Sequence, residues 1–295
     1  MSFLLVWVQL FLFLQLDKKK FIAGEIMRGR VIIKSKVPIE MSQMTLTLTR
    51  KDSYEERNNN VIKSGNFKNE AVSIQFPIDA AALVNGQAEF VFEFLIPFDV
   101  EESLSIVWSS DYSHGSRADK IWEVEACAFG DGKSATGKEI VHISRAPIQG
   151  QELYSKKEGR VQASCFGSKG GSVEATLIGL TNSLCAGETA EFTLNLTPNG
   201  FEPRKIKVEL CGGLQLFRKY GQLFTMEEVT NKTYANFSIP KNVNLSCIPL
   251  NCVIPAKTPR SLPGEAISLS HQIKVTVKKS IFCSKVVIYF PIYVS

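Results

Sequence analysis

Apolar and polar residues alternate with a period of two in several short stretches of the chain. The pattern is clearest in residues 44–49, 90–94, 192–196 and 273–277. Such alternation is typical of half-buried strands in antiparallel sheets. Gly, Pro, Asn and Asp interrupt these stretches at short intervals, which predicts many short strands joined by turns, as in a β-sandwich.

Helical periodicity is weak throughout. Residues 78–84, with three consecutive alanines, predict at most a single helical turn. The alternation of strands and helices that builds a doubly wound sheet does not occur, so a nucleotide-binding fold of that class is not expected. The sequence therefore predicts an all-β fold.

Three short landmarks occur in the same order in each half of the chain, which indicates an internal repeat. The landmarks and their counterparts are residues 21–25 and 184–188, residues 94–97 and 237–240, and residues 121–126 and 271–276. The first contains Ala-Gly-Glu, a turn that needs a permissive glycine, and the second contains Ile-Pro, which suits a strand end. The repeat predicts domains at residues 1–148 and 159–295, joined by a linker at 149–158.

The apolar N-terminal run, residues 3–14, is too short for a membrane helix, which needs about 20 residues. A signal peptide has its positive charges before the apolar run. Here Lys18, Lys19 and Lys20 follow it. We therefore expect a buried first strand, with a signal sequence as the alternative.

Cysteines and glycosylation sequons point to different compartments. The seven cysteines have scattered spacings without a Cys-x-x-Cys motif. Five of them lie in or beside apolar runs and are interpreted as buried free thiols, which favours a reducing compartment: Cys165, Cys185, Cys211, Cys247 and Cys283. Four sequons favour secretion instead, and they begin at Asn195, Asn231, Asn236 and Asn244.

The net charge of +5 is too diffuse for a nucleic-acid groove, but it suits an acidic or phosphorylated partner or an anionic membrane face. The candidate cations for phosphate groups or acidic partners are Lys18, Lys19, Lys20, Arg28, Arg30, Lys34 and Lys36. Strand alternation places Arg28 and Arg30 on one face, and Lys34 and Lys36 likewise. Ordinary solubilising charge is the alternative for each of them.

Catalytic motifs are scarce. His142 and His271 lie in expected strands and are interpreted as structural. His114 lies in an Asp-Tyr-Ser-His-Gly-Ser segment, but adjacency in a loop does not make a triad, and the Gly-x-Ser-x-Gly elbow does not occur. Residues 167–172 are rich in glycine without the spacing of a P-loop. We expect no enzyme activity, cofactor or metal, with a hydrolase at His114 as the weakest alternative.

Segments of the first half resemble the motifs of arrestin-like domains. Residues 16–31 resemble the family's opening strand, its Gly-Glu turn and the Gly-x-Val that starts the next strand. Residues 90–97 resemble its alternating Phe run before Ile-Pro. Residues 120–126 resemble the following strand, which has an aromatic residue at the position of Trp122.

The second half resembles the C-terminal domain of the same family at residues 186–188, 237–240 and 269–277. The resemblance is closest to the α-arrestins, the arrestin-domain-containing proteins. It implies two tandem immunoglobulin-like, arrestin-type antiparallel β-sandwich domains.

The resemblance also implies a function. Family members are cytoplasmic adaptors at the plasma membrane or endosomes, which bind tails of receptors and transporters for endocytosis and protein transport. Many α-arrestins recruit ubiquitin ligases through Pro-Pro-x-Tyr, but this sequence has no Pro-Pro pair, so that route is not expected. We expect a non-enzymatic adaptor for membrane-protein tails, with sorting proteins, ubiquitin ligases or anionic lipid headgroups as further partners. A secreted or surface β-sandwich binding protein remains the alternative.

Overall fold

The structure is a computed structural model, and it consists of strands, turns and loops. It describes residues 10–36, 40–58, 61–77, 86–108, 116–130, 133–146, 150–161, 171–200, 202–217, 223–239, 245–264, 266–278 and 285–295. No helix occurs among these residues, which confirms the all-β prediction. The chain divides into two compact units, Met1–Ala146 (unit 1) and Pro147–Ser295 (unit 2).

Unit 1 is a sandwich of two sheets. Its strands are β1 (Leu10–Leu16), β2 (Lys20–Ile22), β3 (Ile26–Ser35), β4 (Gln43–Asn58), β5 (Val61–Pro77), β6 (Gln87–Leu95), β7 (Leu104–Trp108), β8 (Ser116–Gly130) and β9 (Lys133–Ser144). One sheet has the order β1-β3-β6, and the other has the order β2-β9-β8-β4-β5, with β7 paired to β8. All pairs are antiparallel except β2 with β9.

Unit 2 is built in the same way. Its strands are β10 (Leu153–Val161), β11 (Gly171–Gly179), β12 (Ser183–Leu184), β13 (Thr189–Asn199), β14 (Lys205–Phe217), β15 (Leu223–Ser238), β16 (Ile248–Val253), β17 (Ile267–Lys278) and β18 (Lys285–Val294). The sheet orders are β10-β11-β13-β16 and β12-β18-β17-β14-β15. Only the β12–β18 pair is parallel.

The core of each unit lies between its two sheets. Every second residue of β3 is buried, and Val31 and Ile33 pack in one cluster with Met44 and Leu46 of β4. In unit 2 the corresponding cluster joins β13 to β14 and β17. The alternation in the sequence therefore reflects burial of one face of each sheet against the other.

The internal repeat is present in the register of the strands. Leu14 of β1 faces Val31 of β3, and at the same spacing Leu177 of β11 faces Leu194 of β13. The sheet β1-β3-β6 matches β11-β13-β16, and β2-β9-β8-β4-β5 matches β12-β18-β17-β14-β15. Among the described strands, β7 of unit 1 and β10 of unit 2 have no counterpart strand in the other unit, and at the position of β7 unit 2 has an isolated bridge between Leu262 and Leu269.

The first landmark forms the same turn in both units. In unit 1, Glu25 donates its backbone N–H to Ile22 O at 2.9 Å, and its carboxylate accepts the N–H of Ile22 at 2.8 Å. In unit 2, the same two bonds join Glu188 to Cys185, each at 3.1 Å. Ala-Gly-Glu is therefore a structural signature of the start of β3 and β13.

The second landmark was matched wrongly. Ile96 exchanges backbone hydrogen bonds with Gly24 and Glu25, and in unit 2 Ile254 makes the same exchange with the equivalent turn. The counterpart of Ile96-Pro97 is therefore Ile254-Pro255, and not the Ile-Pro at Ile239, which follows β15. Both pairs end a strand with Ile-Pro, so the letters alone could not separate them.

Other expectations need correction. Residues 153–158, predicted as linker, belong to β10, which pairs with β11 along its length. The first strand is half-buried rather than buried, because Leu12 and Leu14 face the core while Phe11 and Phe13 are exposed. Residues 3–9, the predicted turn at 78–84, His114 and residues 167–170 lie outside the described residues.

The described cysteines are free thiols. Cys211 is buried as expected, and Cys252 is buried as well, where burial raises its pKa to about 12. Cys185 and Cys247 are exposed, which corrects the prediction of burial. Both follow strands or turns at the ends of the sandwich, where an apolar neighbour in sequence does not imply burial. Cys165 and Cys283 fall outside the described residues.

A glycine-to-alanine pair tests the role of the turn. Gly187 has a φ of 91°, and the nearest atom to an added Cβ is 3.9 Å away, so Gly187→Ala introduces backbone strain without a clash. We expect a loss of about 1–3 kcal/mol in unfolding free energy, measured by urea titration. Gly213→Ala is the control, since a Cβ added at Gly213 meets Ser270 Oγ at an ordinary contact distance of 3.8 Å and Gly213 has no positive φ. Equal stability of the two variants would contradict the role of the turn.

Candidate functional site

In each unit one segment crosses from the first sheet to the second. We call these the crossing segments, residues 96–103 in unit 1 and 254–261 in unit 2. Ser103 ends the first, and its N–H donates to Ile143 O at 2.7 Å while its Oγ accepts the N–H of Ile143 at 2.9 Å. Ser261 makes the same two bonds with Val294, at 2.7 and 2.8 Å. The crossing segments are therefore equivalent, residue by residue.

The third landmark lies under the crossing segments. Trp122 of β8 is opposite Val141, and His271 of β17 is opposite the equivalent Ile292. Trp122 donates its Nε1–H to Glu101 O at 2.8 Å, and His271 Nδ1 lies 3.0 Å from Ser261 Oγ. His271 is thus structural, as predicted from its place in a strand.

Unit 1 carries a buried group of charges at this end of the sandwich, the charge cluster, consisting of Arg50, Asp52, Glu101 and Lys120. Arg50 contacts Glu101 at 2.5 Å and Asp52 at 3.1 Å, and Lys120 contacts the second oxygen of Glu101. The exposed fractions of these side chains lie between 0% and 11%. Two cations and two carboxylates thus balance each other away from water.

Unit 2 has no charges at the equivalent positions. Register equates Asp52 and Lys120, which face each other, with Leu214 and Leu269. Both leucines are almost completely buried. Gly212 takes the place of Arg50, and Pro259 takes the place of Glu101 in the crossing segment. The same fold is therefore built once around charges and once around leucines.

The comparison between the units bears on why the charges are there. Replacing a buried set of ion pairs by apolar residues is often neutral or stabilising, because desolvation offsets the Coulombic attraction. Unit 2 shows that apolar residues satisfy this fold. The charge cluster is consequently not a requirement of the sandwich, and it marks unit 1 as the unit with a specialised end.

The electrostatics of Lys120 depend on Glu101. Burial lowers the pKa of Lys120, and the hydrogen bond and charge of Glu101 oppose that shift. A carboxylate of the crossing segment thus counteracts the effect of burial on the pKa of Lys120. The electrostatics of the Lys120 side chain therefore depend on the position of the backbone segment that carries Glu101.

Arg145 fixes the same crossing segment from the other side. Its Nε donates to Val100 O at 2.8 Å, its Nη2 donates to Asp99 O at 2.6 Å, and its backbone N–H donates to the Glu102 carboxylate at 2.9 Å. Together with the Ser103 and Trp122 bonds, these contacts hold the segment that presents Glu101.

A groove of 340 Å³ opens beside this segment, lined by residues of β2, β7, β8 and β9. Lys20 and His142, paired across β2 and β9, are among its lining residues, as is Lys120 of the charge cluster, whose side chain is completely buried. Ile140, which is largely exposed, and Leu104 supply apolar surface. The groove therefore has a mainly apolar surface, with two lysines and a histidine among its exposed lining residues.

The structure separates the seven predicted cations into two places. Lys18 pairs with Glu25 and Lys19 with Glu139, both at 2.8 Å, and Lys18 lowers the pKa of Glu25 through that hydrogen bond. Lys20 reaches the groove, as does the stem of Lys19.

The remaining candidates lie on the other sheet. Arg28 and Arg30 share the outer face of β3, as predicted, and they pair with Glu93 and Glu89 of β6. Lys34 lies on the same face with its Nζ 5.8 Å from the ring centre of Phe13, and Lys36 follows the end of β3 as an exposed residue. The predicted set is therefore not a single site.

Sequence reasoning missed the charge cluster, although a signal was present. Met44, Leu46 and Leu48 face the core, and the same alternation continues to Arg50 and Asp52. A charged residue in phase with a buried apolar series indicates an inward-facing charge. His142 was recognised only as a strand residue, because its neighbour Lys20 comes from a distant part of the chain.

Metal and membrane sites were also sought in the described part of the chain. No group of three or more His, Cys, Asp or Glu residues there is arranged to hold a metal ion. The same residues include no helix of the length and apolarity needed to cross a bilayer.

Comparison with known proteins gives no relative. No family model matches the chain, and no curated protein is significantly similar to it. Function must therefore be inferred from the arrangement of its own residues.

Variants of the charge cluster test its energetic role. Lys120→Leu alone leaves one cation with two carboxylates in the cluster, and this uncompensated buried negative charge is expected to lower the unfolding free energy by about 3–5 kcal/mol. The fourfold variant Arg50→Met, Asp52→Leu, Glu101→Met, Lys120→Leu imitates unit 2, and we expect stability near that of the wild type. Urea titration compares them. A fourfold variant as unstable as the single one would show that the fold of unit 1 requires these charges.

The burial of His271 predicts a pH dependence. Burial lowers its pKa from 6.5 to about 4, so the unfolded chain takes up a proton in this range while the folded chain does not. Stability is therefore lost as the pH falls from 6.5 toward 4, by about 3 kcal/mol for this one group. His271→Gln removes this dependence, and His142→Gln, at an exposed histidine, retains it. An unchanged pH profile in His271→Gln would contradict the assignment.

Proposed function

We propose that this chain is a non-enzymatic, arrestin-like adaptor that binds cytoplasmic tails of membrane receptors or transporters through the groove of unit 1. The duplicated sandwich supports the proposal, because the Gly-Glu turn that resembles the arrestin-like motif recurs in both units with the same hydrogen bonds. An adaptor needs binding surfaces and no catalytic residues, which agrees with the scarcity of catalytic motifs in the sequence.

One observation carries the proposal, namely that the groove lies next to the charge cluster in unit 1, where unit 2 has leucines. Two copies of one fold that differ at one end indicate that this end has acquired a separate role. Lys20 and His142 supply the polar contacts of the groove, and no described carboxylate forms an ion pair with Lys20. Lys19 is partly neutralised by Glu139.

The groove indicates the chemistry of its ligand. Ammonium groups bind phosphate or carboxylate as point charges, and the apolar surface at Ile140 and Leu104 favours a neighbouring apolar side chain. An extended tail segment with an acidic or phosphorylated residue beside an apolar one meets both requirements. Anionic lipid headgroups share the charge but not the apolar side chain. Sorting proteins or ubiquitin ligases are the partners to which such an adaptor would deliver its cargo.

A secreted or surface β-sandwich binding protein is the second candidate. The sequon at Asn236 favours it, because this residue is exposed in β15. The sequon at Asn195 favours it less, since Asn195 Oδ1 accepts the N–H of Cys247 at 2.6 Å. A mass shift of the natively expressed protein on glycosidase treatment would support secretion and contradict the cytoplasmic adaptor.

A charge reversal in the groove tests the proposed binding site. We expect Lys20→Glu to weaken binding of a phosphorylated tail peptide by about tenfold or more, because an attractive charge becomes repulsive. Fluorescence polarisation with a library of phosphorylated and acidic tail peptides, repeated at two salt concentrations, measures the effect. Lys157→Glu is the matched control, since it makes the same charge change at an exposed position of unit 2.

The outcomes separate the alternatives. Equal loss in Lys20→Glu and Lys157→Glu would indicate attraction by overall charge and would contradict a groove-specific site. Binding that is unaffected by either substitution would place the peptide elsewhere. Binding to anionic vesicles that Lys20→Glu abolishes, without any peptide binding, would identify lipid headgroups as the ligand instead.

A further inference from the structure

The outer face of the sheet β1-β3-β6 exposes large apolar side chains. Five of them have exposed fractions between 45% and 79%, which is high for residues of regular strands, and they are Phe11, Phe13, Ile26, Val91 and Leu95. Phe98, just after β6, is exposed as well. The register places Phe11 and Phe13 in one group and Ile26 and Leu95 in another, with the charged row of Arg28 and Glu93 between them. Exposed apolar groups of this size are typical of interaction sites.

Unit 2 shows that the fold does not require this surface. The strand register makes Glu174 and Thr176 of β11 equivalent to Phe11 and Phe13 of β1. Phe11 is paired with Lys34 of β3, and Glu174 is paired with Thr197 at the equivalent position of β13. The position of Ile26 is taken by Thr189. Glu174 is partly exposed and Thr176 is buried, whereas Val253 keeps an exposed apolar side chain at the position equivalent to Leu95. The exposed apolar residues that unit 2 lacks are therefore those at the positions of Phe11, Phe13 and Ile26.

The charges of this face restrict its partner. Arg28 pairs with Glu93 at 3.1 Å, and Arg30 pairs with Glu89 at 3.2 Å. In these pairs the cations lie on β3 and the carboxylates lie on β6, so the two ion pairs carry no net charge. A strongly acidic segment or an anionic membrane would be repelled by the two glutamates. A second surface that also has arginines beside glutamates can instead place its own charges against the opposite charges of this face.

The register defines how two such surfaces can match. Arg28 lies opposite Glu93, and Ile26 lies opposite Leu95, across the β3–β6 pair. A two-fold axis along the strands, midway between β3 and β6, places each Arg28 over the Glu93 of a second copy and each Ile26 over its Leu95. Aligned sheets pack in this way about 10 Å apart.

We propose that the β3–β6 part of this outer face, with Ile26, Arg28, Val91, Glu93 and Leu95, docks a second copy of the chain. The contact is isologous and joins unit 1 to unit 1. It is about two strands wide, on the order of 10 Å by 30 Å in plan from strand spacing and rise, which places it in the class of weak, transient interfaces. The dimer therefore forms at high local concentration, as on a membrane crowded with cargo.

Sedimentation velocity of the full chain from about 5 to about 500 µM, a range suited to weak association, tests the proposal. We expect a concentration-dependent shift from monomer to dimer that Leu95→Asp abolishes. Val253→Asp is the matched control, because Val253 occupies the equivalent position of unit 2 and both side chains are 50% exposed. Equal association of the two variants would overturn the proposal.

A charge exchange distinguishes contact between copies from contact within one copy. Arg28→Glu and Glu93→Arg each place like charges on both sides of the interface, so each variant alone is expected to remain monomeric. Their mixture restores opposite charges across the interface, and we expect it to form heterodimers at least as readily as the wild type. Both residues are exposed, so folding is preserved.

Several results would contradict the proposed dimer. They are a wild-type chain that remains monomeric over the whole concentration range, a mixture of the two charge variants that does not associate, and monomers that instead sediment with anionic vesicles through this face. The last result would identify a membrane as the occupant.

Discussion

Each sandwich depends on a pair of backbone hydrogen bonds that join its Gly-Glu turn to the Ile of its crossing segment. The turn starts β3 in unit 1 and β13 in unit 2, and the crossing segment carries the chain from one sheet to the other at the same end. The bonds fix the start of this strand relative to the crossing segment. Positive φ angles at Gly24 and Gly187 make the turn possible, and the Glu carboxylate closes it. The position of every residue around the groove follows from this end of the sandwich.

The duplication also provides an internal comparison within one chain. Where two units share register, turn and crossing segment, a difference between equivalent residues cannot be a requirement of the fold. Leu214 and Leu269 replace Asp52 and Lys120 in the interior, and the partly exposed Glu174 and the buried Thr176 replace the exposed Phe11 and Phe13. In both cases unit 1 has the residues that are less common for their location. Its interior contains charged residues where unit 2 folds with leucines, and its sheet β1-β3-β6 exposes phenylalanines where unit 2 folds with polar residues. Unit 1 is accordingly the unit in which we propose that binding occurs.

The sequence predicted the all-β class, the internal repeat and its first landmark, because period-two burial and a glycine-dependent turn are local properties. The third landmark was placed in the correct pair of strands but one residue out of register, since Trp122 is equivalent to His271 and not to Gln272. It misplaced the second landmark, since Ile239-Pro240 and Ile254-Pro255 end strands alike and differ only in long-range hydrogen bonds. The groove could not be predicted, because Lys20 and His142 meet through a parallel pair of strands that are distant in the chain. The charge cluster could have been inferred in part, from the phase of Arg50 with the buried residues before it.

Proximity labelling in native cells, with the labelling enzyme fused after Ser295, tests the adaptor function most directly. The account predicts enrichment of plasma-membrane or endosomal transporters and receptors, together with sorting proteins or ubiquitin ligases, relative to the labelling enzyme alone. Enrichment of lumenal chaperones and secretory cargo would contradict it. That result would assign residues 3–14 to a signal sequence and would make this chain a secreted β-sandwich binding protein.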